Sequence, residues 1–237
     1  MGYRNEDEME IKEKLAFTLA EVLITLGVIG VVAAITIPGL ITSYNKKITE
    51  TRLAKFYSVF NQAIRLSVAE NGDVDTWDDY WDNDGIITGG QENQTGVEKA
   101  FDTYLRPYMQ IAYKKRIHHG QDKILYVLPD GGAFAYNVWG TRDITFFPKD
   151  AEKCIARNKP IGTCSFMFIF YPISEAESWK YHYNKGIEPY LYDWDGSEAH
   201  LKSGATYSCA NSGYYCTAMI KNNGWKIPKD YPLKLQY

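Results

Sequence analysis

Glu21 is the one carboxylate in an apolar run, FTLAEVLITLGVIGVVAAITIP over residues 17–38. The chemistry open to such a group is charge pairing. A charged side chain costs about 2.5–3.5 kcal/mol at mid-bilayer and less toward the interface, so one that lies in a membrane calls for a partner. A second set is the acidic turn of Asp193, Asp195 and Glu198 around Gly196. Its oxygens suit Ca²⁺, but the full calcium-loop spacing is absent, and a solvated turn is the favoured reading. Asp82 and Asp84 before Gly85 form a weaker copy. The third set is Cys154 with Cys164 and Cys209 with Cys216, neither at zinc-ribbon or C-x-x-C spacing. Two short-loop disulfides, formed in an oxidising compartment, fit this clustering, and local pairing costs the chain least; four buried thiols are the alternative.

The remaining chemistry-bearing types form no constellation. His118 and His119 stand beside Lys114, Lys115 and Arg116 and read as a basic loop, and His182 and His200 lack a partner at metal-ligand spacing. There is no Gly-x-Ser-x-Gly, phosphate loop or dinucleotide fingerprint, so no enzyme and no cofactor are expected. A net charge of −3 gives no basic field for nucleic acid. Aromatic residues make up 15% of the chain, with 19 Tyr and 6 Trp, which suits either a core or a surface that meets partners.

The elements that must carry these groups follow from periodicity. Residues 15–41 are long enough to span a bilayer, at about 40 Å of helix. Beyond Pro38 the pattern becomes one-sided: Leu53, Phe56, Tyr57, Phe60, Ala63, Ile64 and Val68 recur at steps of three and four, and Asn71-Gly72 supplies a stop. Pro38, followed by Gly39, removes a helical hydrogen bond and is expected to bend or soften the helix. Residues 73–95, rich in Asp and Gly, read as loop, with a helix over 96–109. Residues 124–128 and 133–139 flank Pro129-Asp130-Gly131-Gly132 as a hairpin, and residues 164–171 give a further strand. The expected fold class is α+β: a long N-terminal helix, its first half membrane-spanning, packed on a small antiparallel head with disulfide-closed C-terminal loops. The tail over residues 223–232 is expected to pack back on that head.

Phe17-Thr18-Leu19, Glu21 as the fifth residue from Phe17 and Pro38 as the twenty-second resemble the N-terminal segment of type IV pilins and type II secretion pseudopilins. The resemblance covers residues 12–38, counting Lys12 and Lys14 as a short basic leader; Ala16 stands where the family usually has Gly, and the leader is longer and more acidic than most. It implies a leader (1–16), a transmembrane and assembly helix (17–41), an amphipathic continuation (42–72) and an extracytoplasmic pilin-like domain (73–237). It further implies processing between Ala16 and Phe17 by a prepilin peptidase, N-methylation of Phe17, and delivery to an inner-membrane assembly platform. Polymerisation with like subunits would follow, with Glu21 neutralising a neighbour's terminal amine and Pro38 giving local softness. Some pseudopilins bind calcium in a C-terminal loop, which bears on Asp193, Asp195 and Glu198. With the disulfide reading, the head would face outward from the cytoplasmic membrane. The implied function is a structural subunit of a pilus or pseudopilus; the alternative is a minor tip subunit or adhesin whose head binds a surface, a secreted substrate or DNA.

Overall fold

The computed structural model describes residues 18–78, 80, 96–119, 121–136 and 140–237. The leader, Phe17, Asp82, Asp84 and Gly85 lie outside these residues. The chain divides into two compact units, Met1–Thr42 and Ser43–Tyr237. Helix α1, Leu19–Asn71, contributes to both, and its two parts obey different rules.

In the first unit α1 carries a side-chain set with nothing to cover it. From 19 to 42 only Ala33 is even partly buried; Leu23, Ile29 and Ile35 are 61%, 62% and 74% exposed. Among the described residues this is the one helix long and apolar enough to cross a membrane. The helix passes through Pro38 without interruption, and the Thr42 hydroxyl donates to the Pro38 carbonyl at 2.9 Å.

In the second unit α1 has a narrow buried stripe: Thr49, Glu50, Leu53, Phe56, Phe60, Ala63, Ile64 and Ser67. Spacings of three and four residues keep this stripe on one side of a 3.6-residue helix. Gly72, at a φ of 83°, ends it, donating to the Val68 carbonyl at 3.1 Å. A left-handed residue there is open to glycine without steric cost.

The stripe lies on a six-stranded sheet in the order β1 (Tyr113–His119), β2 (Gln121–Val127), β3 (Ala133–Tyr136), β4 (Asp143–Phe147), β5 (Phe166–Ile169) and β6 (Glu188–Pro189). Every neighbouring pair is antiparallel, an open meander. The β2–β3 turn is the Pro-Asp-Gly-Gly segment read from the sequence: Gly131 takes a φ of 81°, and the Asp130 carboxylate accepts from the Gly132 N–H at 3.0 Å. Arg52 on α1 donates to the carbonyls of Asp130 and Pro148, and Lys55 pairs with the Asp130 carboxylate at 2.7 Å, which fixes the helix against this turn.

Strand alternation splits the sheet into two buried faces. Tyr126, Phe134, Phe146 and Phe168 face α1 within the main core, where Phe56 stacks on Phe146 at 4.3 Å and 12° and meets Phe168 edge-on at 5.2 Å. Helix α2, Gly96–Tyr104, joins this core through Val97, Ala100 and Phe101. The other face presents Leu125, Ala133, Ala135 and Phe147 with Met167 and Ile169, covered by α3, Ala151–Ala156, and by the C-terminal loops.

β1 corrects the reading of residues 114–119 as a basic loop. The strand escapes a period-two search because both its faces carry charge: Lys114 pairs with Glu98 and Asp102 of α2, while Lys115 pairs with Glu152 of α3 at 2.9 Å. Charged residues suit an edge strand, since they resist pairing with a further chain.

Both disulfides have the local pairing expected, Cys154–Cys164 with Cα atoms 5.9 Å apart and Cys209–Cys216 with 4.5 Å. The first ties α3 to the approach of β5, and the second ties a loop to α4, Cys216–Asn222. Their loops meet at glycine: a Cβ on Gly213, whose φ is 82°, would lie 2.0 Å from the Ile161 carbonyl oxygen. Closing loops this short contributes about 2–3 kcal/mol each in the chain-entropy account. The tail does return to the head. Buried Glu50 accepts from the Ile227 N–H at 2.9 Å and lies 3.3 Å from the Lys226 ammonium, and the Tyr231 hydroxyl donates to the Gly162 carbonyl at 2.6 Å.

Candidate functional site

The residues singled out from the sequence do not gather in one place. Ala16 and Phe17 lie outside the described residues. Glu21 stands in the first turn of α1, where its carboxylate accepts from the Thr18 N–H at 2.9 Å and the Thr18 hydroxyl at 2.8 Å, while its own N–H donates to that hydroxyl at 3.2 Å. This reciprocal arrangement is a capping box, which satisfies donors that the first turn leaves orphaned.

The acidic turn does not assemble a metal site. Asp195 accepts from the Ser197 N–H at 2.7 Å, which together with the neighbouring His200 holds its carboxyl below the usual range, and the Asp195 N–H donates to His200 Nδ1 at 3.1 Å. Asp193 and Glu198 do not join it. Among the described residues no group of three or more His, Cys, Asp or Glu could hold a metal ion. His182 is buried and accepts from the Leu191 N–H at 3.1 Å; burial, with Lys185, Lys221 and Arg142 nearby, pushes it down to about 3, so it stays neutral.

A site that no motif announced lies on the sheet face turned away from α1. There a cleft of about 960 Å³ opens over β4, walled by the segment after α3 and by aromatic side chains of the C-terminal loops. That volume is in the range of small-molecule sites. β4 supplies its floor through Asp143, which is 4% exposed, and Thr145. Asp143 pairs with Arg142 Nε at 2.7 Å, and the guanidinium also lies 4.8 Å from the Trp179 ring centre. Burial pushes the Asp143 carboxyl up; the Arg142 pairing opposes this only in part.

Tyr190, Tyr207 and Tyr214 line the same cleft. Their ring centres are 4.8 to 5.7 Å apart with interplanar angles of 49° to 67°, so none is parallel to another. The phenols of Tyr190 and Tyr214 are raised by burial and, next, by the Asp143 charge. Neither hydroxyl makes a hydrogen bond among the described residues. The Ser212 hydroxyl, also in the lining, is buried without a hydrogen-bond partner. The cleft therefore combines aromatic faces, unpaired hydroxyls and one buried carboxylate held in place by arginine.

Sequence reading missed these residues because they come from four separated segments, and the one signal was the abundance of Tyr and Trp. Residues 39–235 match the model of a family of unknown function, DUF6613. No curated protein and no solved structure matches the chain.

Proposed function

The chain belongs to DUF6613, a family of unknown function, and we propose that it is a membrane-anchored filament subunit of the type IV pilin or type II secretion pseudopilin kind. The observation that carries the reading is the division of labour along α1. Residues 19–42 present an unbroken apolar surface with Glu21 at its start, and residues 43–71 bury a stripe in a disulfide-stapled head. An apolar surface of that extent needs either lipid or other apolar helices around it. A subunit that begins in a bilayer and ends in a helical bundle of its own kind uses both. The resemblance of Phe17, Glu21 and Pro38 to the pilin segment supports this reading over that of a plain anchor.

In this proposal a prepilin peptidase cuts between Ala16 and Phe17. The new amine is methylated, and an inner-membrane platform adds the subunit to a filament. The head lies outside the cytoplasmic membrane, where both disulfides can form. A second reading, a minor tip subunit with a binding head on the same anchor, is favoured by one observation, the polar aromatic cleft.

N-terminal sequencing of the mature protein, taken from membranes and from sheared surface material, tests the proposal. The expected first residue is an N-methylated Phe17. A chain beginning at Met1, or at any residue past 38, overturns it. Copy number in the sheared fraction separates the two versions, because a major subunit dominates that fraction and a tip subunit is rare.

A further inference from the structure

We propose that the cleft over β4 is a saccharide-binding site, which takes a short oligosaccharide against its tyrosine and tryptophan rings and beside the Asp143–Arg142 pair. The inference goes beyond the filament reading and does not depend on it, since every lining residue lies within residues 43–237.

Three features of the cleft select this ligand class. The first is the lining chemistry: an apolar ligand would strand the hydroxyls of Tyr190, Tyr214 and Ser212 and the Asp143 carboxylate away from water, and each stranded group costs free energy. A ligand rich in hydroxyls satisfies them, because a sugar hydroxyl donates to the carboxylate and also accepts from a phenol. The second is ring geometry. Trp179 and Tyr192 meet at 51°, and the three tyrosines at 49° to 67°, so no parallel pair is set to sandwich a flat base. Ring faces, negative at the centre, suit the polarised C–H groups of a pyranose. The third is electrostatic. Asp143 is buried and fixed by Arg142, so a charged acceptor stands at a set position in the cleft lining. A volume of about 960 Å³ leaves room for more than one pyranose ring.

The full-length chain, held in zwitterionic micelles that carry no sugar headgroup, is titrated calorimetrically with chitotriose, cellotriose, maltotriose, mannotriose and trigalacturonic acid. Trialanine and AMP serve as comparison probes. Saturation-transfer NMR on the same samples reports which ligand protons lie against the protein. The expected result is saturable binding of at least one trisaccharide, with the strongest transfer to ring C–H protons. Tyr214→Phe, which removes only a hydroxyl, and Asp143→Asn should each weaken it by about tenfold, the loss of one good polar contact. Thermal unfolding verifies that both variants fold; should Asp143→Asn not fold, Tyr214→Phe and Trp179→Phe carry the comparison. Absence of saturable binding for all five sugars overturns the proposal. So does binding that the folded variants leave unchanged, or tighter binding of trialanine or AMP. A chain that binds sugar but fails to start at Phe17 would leave this site standing while removing the filament reading.

Discussion

Glu21 carries two roles that a single substitution can separate. Its carboxylate caps α1 through Thr18, and the filament proposal also gives it a charge to neutralise in a neighbouring subunit. Glutamine serves as well as glutamate in a capping box, whereas it cannot pair with an ammonium. Glu21→Gln should therefore keep the chain membrane-inserted with unchanged helix content while sharply reducing filament yield. Glu21→Ala should lose the cap as well, at about 1 kcal/mol. Normal filament yield from Glu21→Gln would leave capping as the whole explanation of the residue. Asp143 shows the opposite relation between sequence and environment. It stands in DITFF, a segment without a motif, and only folding buries it in a cleft that three tyrosines also line.

At the scale of elements, α1 over residues 43–71 organises the head. Phe56 contacts rings from β3, β4 and β5, and its removal should open a cavity that the sheet cannot refill. Phe56→Ala is expected to lower unfolding stability by about 3–5 kcal/mol in urea titrations of the full chain. Val31→Ala, at a position 62% exposed, should leave the same transition unmoved. Equal effects from the two substitutions would contradict the division of α1 into an exposed apolar part and a core-forming part. The helix stripe and the β2–β3 hairpin were legible because each buries one face and so has a clean period. Strands β1 and β4 were not. β1 is charged on both faces, and β4 is buried on both, with partners on α1 and on the C-terminal loops.

For the whole molecule, the two disulfides and the apolar helix constrain each other. Disulfides persist in oxidising compartments, so an anchored chain that carries them should display its C-terminal end outside the cytoplasmic membrane. An epitope appended after Tyr237 should accordingly be reached by antibody on intact spheroplasts without detergent. Labelling that needs permeabilised membranes would invert the proposed topology.

The sequence alone determined the long apolar helix, its amphipathic continuation, one hairpin and the local cysteine pairs. Each of these is set by neighbours within a few residues, through hydropathy, helical period, turn chemistry or loop-closure entropy. Tertiary structure alone decided the rest. It placed residues 49–67 of α1 on one face of a six-stranded meander, returned the tail to Glu50, and gathered Asp143, Arg142, Trp179 and the tyrosines into a cleft. Those arrangements depend on pairings between residues far apart in sequence, for which no local period exists.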